Sequence, residues 1–312
     1  MAEAANCTVD IEMDEHSRAA DGAWVGLEER KGKGRGRGKG KGQPHPKSLE
    51  DFQSLGFKVL EWDGMRAELD FSEGPVVPAP YKGCSKNRRG KFKTASFGVS
   101  YGGGQSIPRE LSPSAHNKKV LETLKQNPDF QRVVKHGSSM FAHYAPRLYN
   151  YYSKTFASLK KSQPELELPV FGSIFSTISI NLAPQVVAEK HKDFKNLAYG
   201  FCNICAQGSF NPKQGGHLVL WELKLLIEFP PGSHMNILSA IFSHSNTSLQ
   251  AGETRFSIIQ YSAGGLFRWV HYGFRTWHAF EEQEPKEASM EWDGRPTKWQ
   301  EVLGLFSNIS EF

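Results

Sequence analysis

Beyond Pro164 the chain breaks into short apolar segments: VFGSIFSTISI (170–180), PQVVAE (184–189), LAYGFCNICA (197–206), HLVLWELKLLIEF (217–229), MNILSAIF (235–242), RFSIIQYS (255–262) and LFRWVH (266–271). Most are bounded by Gly, Pro, Asn or Asp, the residues that punctuate strands. Parallel strands need long crossovers, commonly helical, and no helical segment separates these. The pattern therefore predicts an antiparallel double-sheet barrel of jelly-roll type, a double-stranded β-helix.

Helices are expected on one outer face, giving an α+β fold. Residues 114–161 have helical periodicity. Val120, Leu121 and Leu124 precede a break at Asn127-Pro128, and Met140, Phe141, Tyr144, Leu148, Tyr152 and Phe156 follow at three- and four-residue spacing. Aromatics at that spacing read as core. Upstream, FKVLEW (57–62) and MRAELDF (65–71) flank Asp63-Gly64 and read as a hairpin. At the other end, RPTKWQEVLGLFSN places Trp299, Val302, Leu303 and Phe306 on one side of a covering helix.

Residues 1–48 form a polar tail, acidic first and then KGKGRGRGKGKG (31–42), with no apolar residue to bury. One reading is a linker or nuclear-import signal. The other is a nucleic-acid arm, in which Arg35 and Arg37 contact phosphates. A second basic cluster, including Arg88 and Arg89, precedes the core and is either a solvated loop or a further DNA contact. Residues 49–312 are expected to be one domain, with N-terminal strands and helices over 49–165, the jelly-roll over 166–275 and a C-terminal extension over 276–312.

The formal net charge is only +5, so the charge is segregated rather than large. Four scattered Cys make no disulfide framework, and MAEAANCTVDIEMDEH has neither the basic start nor the apolar run of a signal peptide. An intracellular, reducing location is expected. No apolar run reaches the roughly 20 residues that span a bilayer, since Glu222 and Lys224 interrupt the longest.

A barrel mouth is a natural place for a metal. The only His-x-Asp in the chain is His191 and Asp193, in EKHKDFKN (189–196). Downstream, His217, His234 and His244 begin or end strands, and His244, closing MNILSAIFSH before a polar turn, fits best as a third ligand. Two His and one carboxylate make a facial triad that leaves three adjacent positions of a ferrous ion open for a bidentate co-substrate and dioxygen. Eleven residues later Arg255 stands in the apolar strand RFSIIQY. A guanidinium there needs an anion, either a ligand carboxylate or Glu253 in an internal salt bridge. Ser257 shares its face.

HKD, IFSHSNT and ETRFSIIQY, in that order, resemble the iron(II)- and 2-oxoglutarate-dependent dioxygenases. The stretches SFGVSYGGGQ, HKDFKNLAYG, GGHLVLWELKLLIEFPPGS and ETRFSIIQYSAGGLFRWV are similar to the TET/JBP-like branch, particularly its compact fungal, transposon-associated members. The resemblance covers residues 94–274.

It implies oxidation of the methyl group of 5-methylcytosine in DNA to hydroxymethyl, and in further rounds to formyl and carboxyl, with the base flipped into the barrel mouth. His191, Asp193 and His244 would bind Fe(II), and Arg255 with Ser257 the distal carboxylate of 2-oxoglutarate. Asn196 would contact the base and Tyr261 stack on it. Where TET proteins carry a base-contacting His two residues beyond that aromatic, this chain has Ala263. Either His271 or another group substitutes, or the base differs. The alternatives are the same iron chemistry on N6-methyladenine or another methylated substrate, and a non-catalytic jelly-roll DNA-binding module. A nuclear monomer acting on DNA with dioxygen is the expectation.

Cys202-Asn-Ile-Cys205 is half a zinc motif and reads as buried structural thiols. Tyr101-Gly-Gly-Gly104 lacks the lysine of a phosphate loop and reads as a turn near the substrate. Gly215-Gly216 and Gly264-Gly265 read as hairpin turns.

Overall fold

The structure, a computed structural model, describes residues 48–61, 89–113, 115–182, 184–295, 297–308 and 311. All of them belong to the unit Gly42–Phe312. Arg35, Arg37, Arg88 and the second half of the expected hairpin lie outside the described residues.

Elements follow in the order α1 (Leu49–Ser54), β1 (Lys58–Leu60), β2 (Lys93–Ser100), β3 (Arg109–Glu110), α2 (Ala115–Gln126), α3 (Pro128–Tyr144), α4 (Pro146–Ser162), β4 (Thr177–Leu182) and β5 (Cys202–Ser209). Then come β6 (Leu218–Leu220), β7 (Leu225–Ile227), β8 (His234–Ile237), β9 (His244–Asn246), β10 (Thr254–Tyr261), α5 (Gly264–His271), α6 (Trp277–Gln283), α7 (Pro285–Asp293) and α8 (Lys298–Leu303).

Two sheets form, one in the order β3-β2-β4-β10-β5-β8 and the other β1-β7-β6-β9. A bridge from His191 to His244 extends the smaller sheet beyond β9. From β4 onward the chain alternates between them: β4 in the large sheet, His191 in the small, β5 in the large, β6 and β7 in the small, β8, β9 and β10 alternating again. That winding is a double-stranded β-helix, as expected. Among the described strands, β1 alone pairs in parallel, with β7; the isolated bridge from Gln185 to Arg255 is parallel as well.

Strand alternation then sorts the side chains of the large sheet. Ile178, Ile180, Cys205 and Ile258 face outward with Phe130, Val133 and Val134 of α3. Cys202, Ile204, Ala206, Ile259 and Tyr261 face inward with Leu218, Leu220 and Phe229. Each buried Leu, Ile or Phe contributes about 1.5–3 kcal/mol, so the outer layer holds α3 against the sheet. Because β10 alternates, Arg255 and Ser257 share the inner face with Tyr261.

The helical region breaks where Asn127 caps α3, its side chain accepting from Phe130 N at 2.9 Å with Pro128 in the first turn. A second break, at Ala145-Pro146, was not expected. Ala145 leaves helical geometry (φ −145°) because Pro146 cannot continue the α3 ladder. Phe141, Leu148, Tyr152 and Phe156 are core as anticipated, while Tyr144, at the break, is exposed.

Several segments differ from the expected strands. LFRWVH is helix α5: Leu266, Phe267 and Trp269 are buried and Arg268 is exposed, a helical rather than alternating pattern. Gly264 and Gly265 begin this helix instead of a hairpin, and a Cβ at Gly265 would lie 2.3 Å from the Tyr101 carbonyl oxygen. HLVLWELKLLIEF is two strands, β6 and β7, joined by a turn in which Lys224 takes φ 51°. Gly215-Gly216 lies on the connection from β5 in one sheet to β6 in the other. PQVVAE contributes only a bridge from Gln185 to Arg255, and regular strand within VFGSIFSTISI starts at Thr177. The C-terminal helix is α8, with Trp299 and Leu303 exposed, so it does not cover the barrel through those two side chains. Among the described residues, no helix is long and apolar enough to cross a membrane.

Candidate metal centre and anion pocket

His191, Asp193 and His244 come together at one end of the barrel, each offering a ligand atom within 4.8 Å of the others. The pairing that extends the small sheet sets two of them. His191 N donates to His244 O at 3.0 Å and His244 N to His191 O at 2.9 Å, so the imidazoles sit side by side with centroids 4.2 Å apart.

Each imidazole is oriented by its other nitrogen. His191 Nδ1 lies 2.6 Å from Glu189 O and His244 Nδ1 3.1 Å from Phe242 O. Donation to those carbonyls leaves Nε2 of each ring as an acceptor, 3.8 Å from Oδ1 and Oδ2 of Asp193 respectively. Carbonyl-tethered imidazoles of this kind are how metal-binding His are held. Burial, then the neighbouring imidazole, lowers the pKa of His191 to about 4, and burial lowers that of His244. Both rings are neutral and nucleophilic at pH 7. The donor set, two neutral imidazoles and a carboxylate, fits a ferrous ion with open positions.

Three groups hold this arrangement that the sequence reading did not identify. Ser239 O accepts from Asp193 N at 2.8 Å, fixing the carboxylate strand to the β8–β9 loop. Glu222, in the β6–β7 turn, accepts from Ser243 N and Ser243 Oγ, both at 2.7 Å, and clamps the residue before His244. Arg89, read from the sequence only as part of a solvated loop or a DNA contact, pairs with Asp193 Oδ1 at 2.5 Å. None has a local sequence signature, because each acts across the barrel end.

Arg255 is 1% exposed. Its Nη1 donates to Val186 O at 3.0 Å and its guanidinium lies 5.9 Å from the Phe210 ring centroid, while Nε has no partner among the described residues. Glu253 does not meet it: that carboxylate accepts from Asn211 N and Gln250 N. A salt bridge to Glu253 is thereby excluded, and no other carboxylate among the described residues pairs with Arg255. Burial without an anion lowers the Arg255 pKa to about 10. A buried cation in this state is a receptor for a carboxylate.

Beside it runs a polar wall. Thr94 Oγ1 donates to Asn181 Oδ1 at 2.9 Å, and Asn181 Nδ2 donates to Ser257 Oγ at 3.3 Å. One row along, Ser96 and Ser179 hydroxyls are 2.7 Å apart, and Ser179 meets the Tyr261 hydroxyl at 3.2 Å. The signal was in the sequence: KTASFG and STISIN place hydroxyls and an amide on alternate residues.

Asn196 and Tyr261 both reach the same end. Asn196 Nδ2 donates to Ser239 Oγ at 3.1 Å, and Asn196 bridges Ala263 through the backbone. Tyr261 is half-buried, and burial raises its pKa. His271 closes α5, about 10 Å along the axis from its start, and pairs with Glu291 at 3.2 Å. It does not replace the absent histidine at Ala263. His217 bonds Thr247 and His234 bonds Asn203, each inside the fold and outside the metal cluster. Cys202 and Cys205 are buried free thiols, and burial pushes that of Cys205 up to about 12.

Fold and site together give a jelly-roll with a candidate metal-ligand triad and, on the inner face of the same barrel, a buried guanidinium. No protein-family model and no curated protein matches the sequence. Among solved structures the chain is similar to one described as NgTET1 in complex with 5mC DNA, at 14% identity and TM-score 0.43, over 55% of this chain and 61% of that one. It is also similar to an oxidoreductase of the 2OG-Fe(II) oxygenase family from Burkholderia pseudomallei, at 16% identity and TM-score 0.32, over 56% of this chain and 71% of that one. The chain thus spans about three fifths of the first of these.

Proposed function

We propose that this chain is an iron(II)- and 2-oxoglutarate-dependent dioxygenase that oxidises the methyl group of 5-methylcytosine in DNA. One observation carries the reading: a buried guanidinium without an anion, Arg255, in the same barrel as His191, Asp193 and His244. In this reading those three residues hold the iron, and Arg255 with Ser257 holds the distal carboxylate of 2-oxoglutarate. Bound metal, 2-oxoglutarate and dioxygen would supply the oxidising power, one oxygen atom ending in the succinate formed as carbon dioxide is lost and the other in the hydroxylated methyl group. The chain's own part is positional. The carbonyl tethers leave Nε2 of both imidazoles toward Asp193, burial keeps the rings neutral, and Asn181 aims Ser257. Tyr261 presents an aromatic face to a flipped base, with Asn196 beside it, offsetting the few kcal/mol that flipping costs. A nuclear location and DNA contacts from Arg35, Arg37 and Arg88 belong to the same proposal.

N6-methyladenine is the second reading, supported by Ala263, buried and bridged to Asn196 where a histidine would otherwise address the base. Incubation with ferrous iron, 2-oxoglutarate and duplexes bearing either base, followed by nucleoside mass spectrometry, separates them. Oxidised cytosine supports the first reading. Turnover of methyladenine alone replaces it with the second, and no succinate with any substrate leaves a non-catalytic module.

A further inference from the structure

One residue ahead of β2, Arg89, is joined to both ends of the HKD motif. Its guanidinium pairs with Asp193, Nη2 lying 2.5 Å from Oδ1, and its own carbonyl oxygen accepts from Glu189 N at 2.7 Å. Glu189 O is in turn 2.6 Å from His191 Nδ1, the nitrogen that fixes that ring. The side chain of Arg89 therefore reaches the carboxylate, and its main chain reaches the first imidazole through Glu189. The surrounding chain places it there. A Cβ on Gly90 would lie 2.6 Å from Val187 O, so the backbone passes close against the segment before His191. Phe92, 4% exposed, anchors the entry to β2, and Ala188 O accepts from Asn246 N of β9 at 3.0 Å.

What the pairing does to Asp193 follows from counting positions. A carboxylate can give a metal one oxygen or two. With one oxygen and two imidazoles, an octahedral ferrous ion keeps three positions for a bidentate co-substrate and dioxygen; with both oxygens it keeps two, which the co-substrate fills. A guanidinium on Oδ1 opposes the second mode and leaves Oδ2, 3.8 Å from His244 Nε2, as the donor. Charge acts the other way, since a cation beside Asp193 repels a metal ion. The side chain of Arg89 is 36% exposed, so water screens that repulsion, while the carboxylate it orients is 8% exposed. Orientation therefore outweighs repulsion.

We infer that Arg89 is a positioning residue of the iron site, holding Asp193 to coordination through one oxygen and, through Glu189, holding the His191 ring. This rests on the reading of His191, Asp193 and His244 as iron ligands. It separates Arg89 from the DNA-contacting role that its basic sequence neighbours suggest.

The test compares wild type with Arg89→Met and Arg89→Lys, each checked by circular dichroism; if Arg89→Met does not fold, Arg89→Gln takes its place with the same expectations. Manganese(II) titrated into the metal-free protein reads affinity. Nitric oxide, added without oxygen to protein holding ferrous iron and 2-oxoglutarate, reads by electron paramagnetic resonance whether a position stays open. Arg89→Met should bind manganese about tenfold more weakly or worse, the scale of a lost partner to a metal ligand, and should lose most of the nitric oxide signal. Arg89→Lys, which keeps a donor and the charge, should recover most of both. Equal or tighter manganese binding by Arg89→Met, or an undiminished nitric oxide signal, overturns the assignment. A DNA-binding salt slope reduced by about one in Arg89→Met, with metal affinity unchanged, would make Arg89 a phosphate contact instead. No manganese binding by wild type would refute the metal centre itself and this assignment with it, a failure distinct from the others.

Discussion

His191 and His244 lie 53 positions apart in sequence, yet each donates its backbone N–H to the other's carbonyl, at 3.0 and 2.9 Å. The bridge makes the metal site part of the smaller sheet. Removing a side chain from it should therefore spare the fold. His191→Ala and Asp193→Ala are expected to lose stoichiometric ferrous binding and all turnover, with circular dichroism unchanged. Metal content measured after desalting checks this.

Arg255 predicts an inverse relation between stability and ligand response. Arg255→Met removes a buried, anion-free cation, so the unliganded protein should be as stable as wild type or more so. Truncating the partner of a buried charge pair costs about 2 kcal/mol or more, so 2-oxoglutarate affinity should fall roughly thirtyfold. Thermal unfolding with and without 2-oxoglutarate reads both. Wild type should be stabilised by the ligand, and the variant should not.

Gly137 sits in α3 where the helix crosses the outer face of the large sheet. A Cβ there would lie 2.3 Å from Gln260 Nε2 and 2.4 Å from Asn203 Oδ1. Gly137→Ala gains about 1 kcal/mol in helix propensity. Displacing Gln260 Nε2 from Asn203 Oδ1, a buried bond of 3.1 Å, and overpacking the crossing cost about 1–3 kcal/mol each. Net destabilisation is expected in urea unfolding.

The same network contains His234, whose Nδ1 lies 2.9 Å from Asn203 Oδ1 and whose ring packs against His136 at 4.8 Å. Burial, then His136, lowers its pKa from 6.5 to about 3. The unfolded chain thus binds the proton first as pH falls. Stability from this group is complete above pH 6.5, declines as pH drops below it, and is exhausted near pH 3. By pH 5 the loss should be on the order of 1–2 kcal/mol. Unfolding measured at pH 7 and pH 5 should show that decline, and His234→Asn should reduce it.

The basic arm makes a further prediction. Deleting residues 1–42 should weaken DNA binding more at low salt than at high salt, because each lost phosphate contact lowers the slope of log affinity against log salt. An unchanged slope would reduce the segment to a linker.

What the sequence disclosed follows its physics. Short apolar runs bounded by turn residues made the barrel readable; His191, Asp193 and His244 were singled out by their order and spacing, and the fold brings them together, while Arg255 stood out because a guanidinium inside an apolar strand needs an anion. LFRWVH failed because six residues hold too little periodicity to separate helix from strand, and its helix depends on Gly265 closing against the Tyr101 carbonyl. HLVLWELKLLIEF failed because a turn with Lys224 at positive φ carries no glycine to mark it. Arg89, Glu222 and Ser239 were unreadable as site residues for another reason: their partners are distant in sequence, and only the folded barrel brings them to Asp193, Ser243 and Asn196.

The most direct test of the account is the coupling of the two products. Purified protein would be incubated with ferrous iron, 2-oxoglutarate and a 5-methylcytosine duplex, and succinate and oxidised cytosine counted in the same samples. The account predicts one succinate for each oxidation step, and neither product from Asp193→Ala. Succinate without any oxidised cytosine, or oxidised cytosine from Asp193→Ala, would contradict it.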